Sequence, residues 1–262
     1  MKLIDYDRIM LIAERRKQIL DLVTASGGVK TTSLAEHLGV SLATVRRDLE
    51  ALEREGFIVR THGGAVSLAH STAFEPKYRL KLRLRQEEKE RIGRAAASLI
   101  REGDAVIFDS GSTALYVARN ARGKRISAVT LDLPVAMELA DDPTTDVLVV
   151  GGKVRTGLYA VVGPFAEEML RQIHVNRFFL AADAVHLEEG ITNATAAEVP
   201  VKRLAIRAAQ EVILVADSSK FGRLNLVKVC DLGQVHRVVT DSNLPADQRK
   251  GLEELGIEVI LA

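Results

Sequence analysis

The chain has 262 residues, of which 47% are hydrophobic, so it can form a small domain and a larger one, each with its own core. A formal net charge of +1 does not by itself indicate a nucleic-acid partner, and the single cysteine, Cys230, excludes an intrachain disulfide. Cys230 lies in an apolar stretch and is predicted to be a small buried residue. No run of 18 apolar residues is present, and acidic residues interrupt the N-terminal apolar stretch, so we expect a cytoplasmic protein without a membrane partner or signal peptide. We also expect no cofactor and no metal ion.

The first 60 or so residues have helical periodicity, and a pair of short strands follows. Glycines end the first two helices, and Ser41 is the predicted N-cap of the third. The predicted elements are a helix whose apolar residues run from Ile9 to Val23 and which ends at Gly27, a helix over 32–38, a helix from Ser41 to Glu55, and strands over 57–60 and 65–68 around a "THGG" turn.

From residue 86 onward, short apolar runs rich in β-branched residues alternate with helical stretches. This alternation predicts an α/β domain with a mostly parallel sheet that is covered by helices on both faces. Predicted helices lie over 134–140, 164–173, 198–209 and 246–255. The sequence thus divides into a small domain over 1–67, a linker over 68–85, and an α/β domain over 86–262.

The linker and the start of the α/β domain carry a basic run from Lys77 to Arg94. Eight basic residues are opposed there by three glutamates. A solvated face and a phosphate-binding face are both compatible with this run.

Two short helices joined by "GVS" have the layout of a helix-turn-helix, whose second helix enters the major groove of DNA. Arg46 and Arg47 lie in the first turns of that helix, where an arginine binds a guanine edge or a phosphate. The two following strands would form a wing, with Arg60 and His62 near its tip. The alternative is that both arginines are surface residues paired with Asp48 or Glu50.

The stretch "SLATVRRDLEALEREGFIVRTHGGAV" closely resembles the N-terminal motif of the DeoR family of bacterial transcriptional regulators, a winged helix-turn-helix. The resemblance is long and specific, and it favours the DNA-binding interpretation. It implies that the surface that recognises a double-stranded DNA operator comprises Ser41, Thr44, Arg46, Arg47, Arg60, His62, Gly63 and Gly64.

In the α/β domain, "DSGST" at 109–113 lies between an apolar strand and a helix. Backbone N–H groups, hydroxyls and the helix dipole converge at such a helix N-terminus and favour a phosphate there. Ordinary helix capping by Ser112 or Asp109 explains the same residues equally well. Further small or polar residues follow other strands, and the carboxyl ends of parallel strands form the ligand crevice of an open sheet. These are Thr130, Asp132, Gly151, Gly152, Asp183 and Lys220.

The resemblance to the DeoR family continues through this half, in "VVGGKVRTG", "AADA", "AEVPVKRLAI" and "ADSSKFG". It implies a ribose-phosphate-isomerase-like fold that senses a phosphorylated sugar. Carried over, Gly111, Ser112 and Thr113 would hold the phosphate. The residues that would contact hydroxyls or phosphate are Asp109, Asp183, Glu198, Lys202 and Lys220.

Two positions depart from the family's pattern. Asp132 lies in "TLD" where the family has Thr-Asn-Ser, which adds a carboxylate near the pocket. The stretch "AADA" replaces Gly-Ala-Asp-Gly, so Ala181 and Ala184 lack the conformational freedom of glycine. Both departures bear on which metabolite is bound.

The sequence therefore predicts a DNA-binding transcriptional regulator, a repressor of a sugar-catabolic operon that binds a small phosphorylated sugar and forms a dimer or tetramer. An alternative is a sugar-phosphate isomerase-like enzyme with an accessory DNA-binding domain. In that enzyme Glu198 would be the general base, and Lys202 or Lys220 the electrophile. We favour a regulator without enzymatic activity, because an isomerase has no need of a winged helix.

Overall fold

The computed structural model describes residues 12–54, 57–67, 75 and 77–262. The chain divides into two units, Met1–Pro76 and Lys77–Ala262. Within the described residues, no helix is both long enough and apolar enough to cross a membrane.

The N-terminal unit packs three helices against a three-stranded antiparallel sheet of order β1-β3-β2. Its core is built from the apolar faces of the helices, with Ile19, Leu34 and Val45 fully buried. The elements are α1 (Ile12–Ser26), β1 (Gly28–Lys30), α2 (Thr31–Leu38), α3 (Leu42–Arg54), β2 (Ile58–Thr61) and β3 (Gly64–Ser67).

These elements confirm the predicted helix-turn-helix and wing. Gly39 ends α2 with a φ of 64°, a left-handed conformation that glycine adopts without strain. Strand β1 is not among the predicted elements: Gly28 is part of the predicted stop of the first helix, and Val29 and Lys30 alone are too short a run to show a strand pattern. The beginning of the first predicted helix and the end of the third lie outside the described residues.

The C-terminal unit is built on a seven-stranded, wholly parallel sheet of order β15-β14-β12-β9-β4-β5-β6. This confirms the predicted α/β class. The strands of this sheet are β4 (Ala105–Phe108), β5 (Ile126–Thr130), β6 (Thr145–Val149), β9 (Val175–Ala181), β12 (Ala209–Val215), β14 (Arg237–Thr240) and β15 (Glu258–Leu261).

Helices cover both faces of this sheet, and small antiparallel strands lie beside it. The helices are α4 (Tyr78–Arg83), α5 (Gln86–Ser98), α6 (Ser112–Ala121), α7 (Leu133–Ala140), α8 (Pro164–Arg171), α9 (Val199–Ala208) and α10 (Ala246–Glu254). The small strands are β7 (Lys153–Val154), β8 (Val161–Val162), β10 (Ala184–His186), β11 (Gly190–Asn193) and β13 (Val227–Cys230). Cys230 is buried, as predicted.

Successive residues of the central strands point to opposite faces, and both faces are apolar. Phe178 belongs to the core on one side of the sheet and Phe179 to the core on the other. This double burial explains why the strands are nearly continuous apolar runs in the sequence.

The chain builds outward from β4 in two directions. Strands β5 and β6 extend the sheet on one side, and β9, β12, β14 and β15 extend it on the other. The strand order therefore reverses between β4 and β9, and in open α/β sheets the crevice outside the carboxyl ends of two such strands is the usual ligand site.

The stretch taken as a linker from sequence contains regular structure. Residues 78–83 form α4, and its Tyr78 and Leu80 are buried within the C-terminal unit. The basic charges of the run obscured this short helix, because only two of its six positions are buried.

Candidate functional site: a winged helix and a carboxyl-edge crevice

Helix α3 begins as predicted, with Ser41 as its cap. The Ser41 hydroxyl accepts a hydrogen bond from the Thr44 backbone N–H at 3.2 Å, and the hydroxyls of the two residues are 2.9 Å apart. Val45 and Leu49 are buried in the unit, whereas Arg46 and Arg47 are exposed.

The pairing of Arg46 or Arg47 with Asp48 or Glu50 does not occur. Asp48 is buried and instead accepts hydrogen bonds from Arg15 and Arg16 of α1, at 2.6 and 3.0 Å. Within the described residues, no acidic side chain forms an ion pair with Arg46 or Arg47. Both guanidinium groups are thus available to a partner.

The wing residues have different surroundings. The Arg60 guanidinium lies 3.1 Å from the Glu50 carboxylate, so Arg60 links the wing to α3. His62 is exposed at the turn, where Gly63 has a φ of 91°. Gly64 is buried, and a Cβ there would lie 2.5 Å from the Val29 carbonyl oxygen. Glycine is therefore required at position 64, because β1 and β3 approach each other too closely for a Cβ.

In the C-terminal unit, the loop 109–111 joins β4 to α6 at the strand-order reversal. Gly111 precedes α6 with a φ of 132° and gives the helix no side-chain cap. The Ser112 and Thr113 side chains, both largely buried, have no hydrogen-bond partner within the described residues. Uncapped N–H groups beside two free hydroxyls are suited to an anion.

Asp109 is buried behind this loop and is already bound. Its carboxylate accepts hydrogen bonds from the Lys202 ammonium and, at 2.9 Å, from the Ala181 backbone N–H. Burial raises the pKa of Asp109, and the charge of Lys202 opposes that rise. Lys202 also donates to the Ala181 carbonyl oxygen at 3.0 Å, so the pair connects the carboxyl ends of β4 and β9.

Glu198, directly before α9, faces the same loop. It accepts a hydrogen bond from the Ser110 hydroxyl at 3.0 Å and forms an ion pair with Arg155. Arg155 lies in the turn between β7 and β8, so this hairpin reaches over the crevice. Glu198 and Lys202, the base and electrophile of the enzyme alternative, are thus both bound in ion pairs.

Thr130 is the last residue of β5, Asp132 follows the strand, and both are fully buried. The Asp132 carboxylate caps α7 by accepting from the Val135 N–H at 3.0 Å, and it also accepts from the Gly111 N–H at 3.1 Å. The Thr130 hydroxyl accepts from the Asp132 N–H at 3.0 Å. Burial raises the pKa of Asp132 to about 7, against the lowering effect of its two backbone hydrogen bonds. Asp132 thus holds the loop 109–111 in place through its hydrogen bond with the Gly111 N–H.

Asp183 follows β9 and lies among ammonium groups. It is 3.1 Å from the Lys81 Nζ, and it accepts from the Ala194 N–H at 3.4 Å. Burial alone would raise the pKa of Asp183, but the charges of Lys81, Lys220 and Lys202 lower it to about 2. Lys220 lies in a short 3₁₀ helix, Ser218–Lys220, after β12.

Gly151 and Gly152 follow β6 and are exposed. A Cβ on Gly152 would lie 2.7 Å from the Val162 carbonyl oxygen, so a glycine is needed for the close approach of β8. No group of three His, Cys, Asp or Glu side chains in the described part of the chain is arranged to hold a metal ion.

Two residues of the crevice were not among the predicted ligands. Arg155 lies in "GGKVRTG", a motif noted for its glycines, and Lys81 lies in the basic run. A single arginine or lysine in such a stretch is usually solvated, so only the fold shows that both face carboxylates at the sheet edge.

The fold and these two sites define a regulator with a winged helix-turn-helix unit and an α/β sensor unit. A model of the DeoR-like helix-turn-helix domain matches residues 15–71, and a model of the DeoR C-terminal sensor domain matches residues 84–242. The chain belongs to the DeoR family and is a transcriptional regulator that binds DNA.

Relatives of known name match almost the whole chain. The HTH-type transcriptional regulator GlpR of Haloferax volcanii is 38% identical over 96% of this chain and 98% of its own. The putative aga operon transcriptional repressor of Escherichia coli O157:H7 is 35% identical over 97% of this chain and 95% of its own. A ribose 5-phosphate isomerase A structure from Methanocaldococcus jannaschii covers 52% of this chain and 54% of its own at 14% identity, with a TM-score of 0.38, which is too low to bear on function.

Proposed function

We propose that this regulator represses a sugar-catabolic operon and is released from its operator by a small phosphorylated sugar. The observation that carries the proposal is the uncapped N-terminus of α6 at the strand-order reversal, with the Ser112 and Thr113 hydroxyls beside it. If a metabolite of the operon's own pathway releases the repressor from the operator, the operon is expressed only when the sugar is present.

The chemistry around α6 favours a sugar phosphate over a simple anion. Backbone N–H groups and the two hydroxyls provide donors for phosphate oxygens. The Glu198 and Asp183 carboxylates, at the same edge of the sheet, are acceptors for sugar hydroxyls. One end of the crevice therefore suits the phosphate and the other end suits the sugar.

The names of the relatives support the same class of target. Their names include a putative repressor of the aga operon and, in Lactococcus lactis, a lactose phosphotransferase system repressor that is 33% identical over 88% of this chain. We infer that Arg46 and Arg47 contact operator DNA from α3, and that His62 contacts it from the wing. Dimers or tetramers would supply the paired recognition helices that a specific operator needs.

A thermal-shift screen tests the effector class. It would compare pentose phosphates, hexose phosphates and glycerol 3-phosphate with their non-phosphorylated counterparts. We expect stabilisation by one or more phosphates only, because the α6 terminus binds the phosphate. Thr113→Val, which removes a hydroxyl and preserves shape, should reduce the shift, whereas the same change at exposed Thr144 should not. Equal stabilisation by phosphorylated and non-phosphorylated sugars would contradict the proposal.

A further inference from the structure

Helix α4 lies across the carboxyl edge of the sensor sheet. At its first residue, the Tyr78 N–H donates to the Gly157 carbonyl oxygen at 3.0 Å, in the turn between β7 and β8. Further along, Lys81 pairs with Asp183, which follows β9. Two residues beyond the helix, the Arg85 guanidinium lies 3.5 Å from Asp217, which follows β12.

The end of α4 is fastened by a buried ammonium group. Lys89 of α5 donates to the Leu84 carbonyl oxygen at 2.7 Å and to the Lys81 carbonyl oxygen. These are carbonyls that a helix C-terminus leaves without an intrahelical partner. Arg85, between the two helices, has a φ of 51°, which is uncommon for a residue other than glycine. The α4–α5 corner is therefore held in one defined conformation.

Helix α4 also packs against α6, whose N-terminus is the proposed phosphate site. Its Tyr78 shares a core cluster with Leu115 of α6. The Lys81 ammonium is thus on the helix that adjoins the effector site, and its carboxylate partner Asp183 is in the crevice itself. Lys202, in contrast, is bound to the buried Asp109 and is not free to change partner.

We propose that Lys81 is an effector ligand, and that its ammonium exchanges Asp183 for the anionic group of the bound sugar phosphate. The inference rests on the proposed function, since it assigns a further residue to the same site. Released from Lys81, the Asp183 carboxylate would accept hydrogen bonds from the sugar hydroxyls. The exchange would thus allow the site to bind both the anionic group and the sugar hydroxyls of the effector.

This exchange would also make α4 responsive to the effector. The division between the two units falls between Pro76 and Lys77, and α4 begins at the next residue. Loss of the Lys81–Asp183 ion pair would therefore alter the contacts of the helix with which the chain enters the sensor. The effector would change DNA affinity because it binds more tightly when Lys81 contacts its anionic group than when Lys81 is paired with Asp183.

Lys81→Gln tests the proposal, with Lys81→Arg as the conservative variant. Arg79→Gln is the matched control, since Arg79 is exposed on the same helix and its replacement also removes one positive charge. Affinity for the strongest stabiliser from the sugar-phosphate screen, and for inorganic phosphate, would be measured by calorimetry. Protection of residues 78–83 from hydrogen exchange would be measured with and without each probe.

We expect Lys81→Gln to bind the sugar phosphate roughly tenfold more weakly, as the loss of one charge-assisted contact predicts. It should also abolish the effect of the sugar phosphate on exchange in α4. Lys81→Arg should largely restore both, and Arg79→Gln should change neither. Wild-type affinity and an unchanged exchange response in Lys81→Gln would overturn this inference and leave the proposed function standing. Absence of any sugar-phosphate binding by the wild type would overturn both.

Discussion

Replacing Asp132 by Asn should reduce the pH dependence of the sensor's stability. Burial raises the pKa of this carboxyl from 3.8 to about 7. A carboxyl with a higher pKa in the folded than in the unfolded state binds its proton more tightly when folded. Its contribution therefore becomes less favourable as the pH rises from about 4 to 7, and it stays unfavourable above that range.

The magnitude follows from two opposing effects. A rise of about 3 pKa units corresponds to about 4 kcal/mol of lost stability above pH 7, at about 1.4 kcal/mol per unit. Asn has one acceptor oxygen where Asp132 uses two, so it must give up the hydrogen bond from either Gly111 or Val135. That loss costs about 1.5–3 kcal/mol. We expect Asp132→Asn to be about 1–2.5 kcal/mol more stable than wild type at pH 8, and to lose this advantage at pH 4.5.

Scanning calorimetry of the full chain between pH 4.5 and 8 measures the difference directly. The sensor transition of the variant should lie about 2–10 °C above that of the wild type at pH 8, given about 2–4 °C per kcal/mol for a domain of this size. Asp141→Asn, at the exposed end of the same helix, controls for a general effect of removing a carboxylate. Parallel dependence of Tm on pH in wild type and Asp132→Asn would refute the reasoning.

The other predictions concern DNA and effector binding. Arg46→Ala and Arg47→Ala should each cost about 1–3 kcal/mol of operator affinity if the lost contact is to a base edge. Loss of a phosphate contact should instead weaken binding to all DNA sequences alike. Gel shifts on operator and random DNA at two salt concentrations separate these outcomes. Unchanged affinity in both variants would exclude α3 as the recognition helix. Lys220→Ala should weaken sugar-phosphate binding by about 1.5–3 kcal/mol in calorimetry while operator binding without effector persists. Sedimentation with footprinting should show at least a dimer on paired half-sites, and a monomer on one half-site would contradict this.

The fold was largely predictable because its main elements carry local signals. The parallel strands are apolar runs. The Gly39 terminator and the Ser41 cap indicate the end of α2 and the start of the recognition helix α3 within a few residues. Burial of successive residues such as Phe178 and Phe179 on opposite faces requires both to be apolar, which the sequence displays directly.

The crevice was only partly predictable. Residues after parallel strands must share one edge, so the sequence indicates the location of Asp109 and Asp183. It does not indicate that both carboxylates are paired with ammonium groups of the protein itself. The Arg155–Glu198 and Lys81–Asp183 pairs join residues 43 and 102 positions apart, and neither has a local signal in the sequence.

Asp132 illustrates a different limit. Its sequence context suggested a carboxylate facing the ligand, but both of its oxygens accept backbone N–H groups of the protein. A short polar residue after a strand is equally suited to capping the next helix, and only the path of the chain distinguishes the two roles.

The central claim is that a phosphorylated sugar bound in the sensor controls operator binding. Fluorescence anisotropy of labelled DNA from the promoter region of its own gene, titrated with protein, measures this directly. We predict that the sugar phosphate that most stabilises the protein weakens operator binding at least fivefold, and that the same sugar without its phosphate has no effect. Operator binding that is unaffected by that sugar phosphate at saturating concentration would contradict the account.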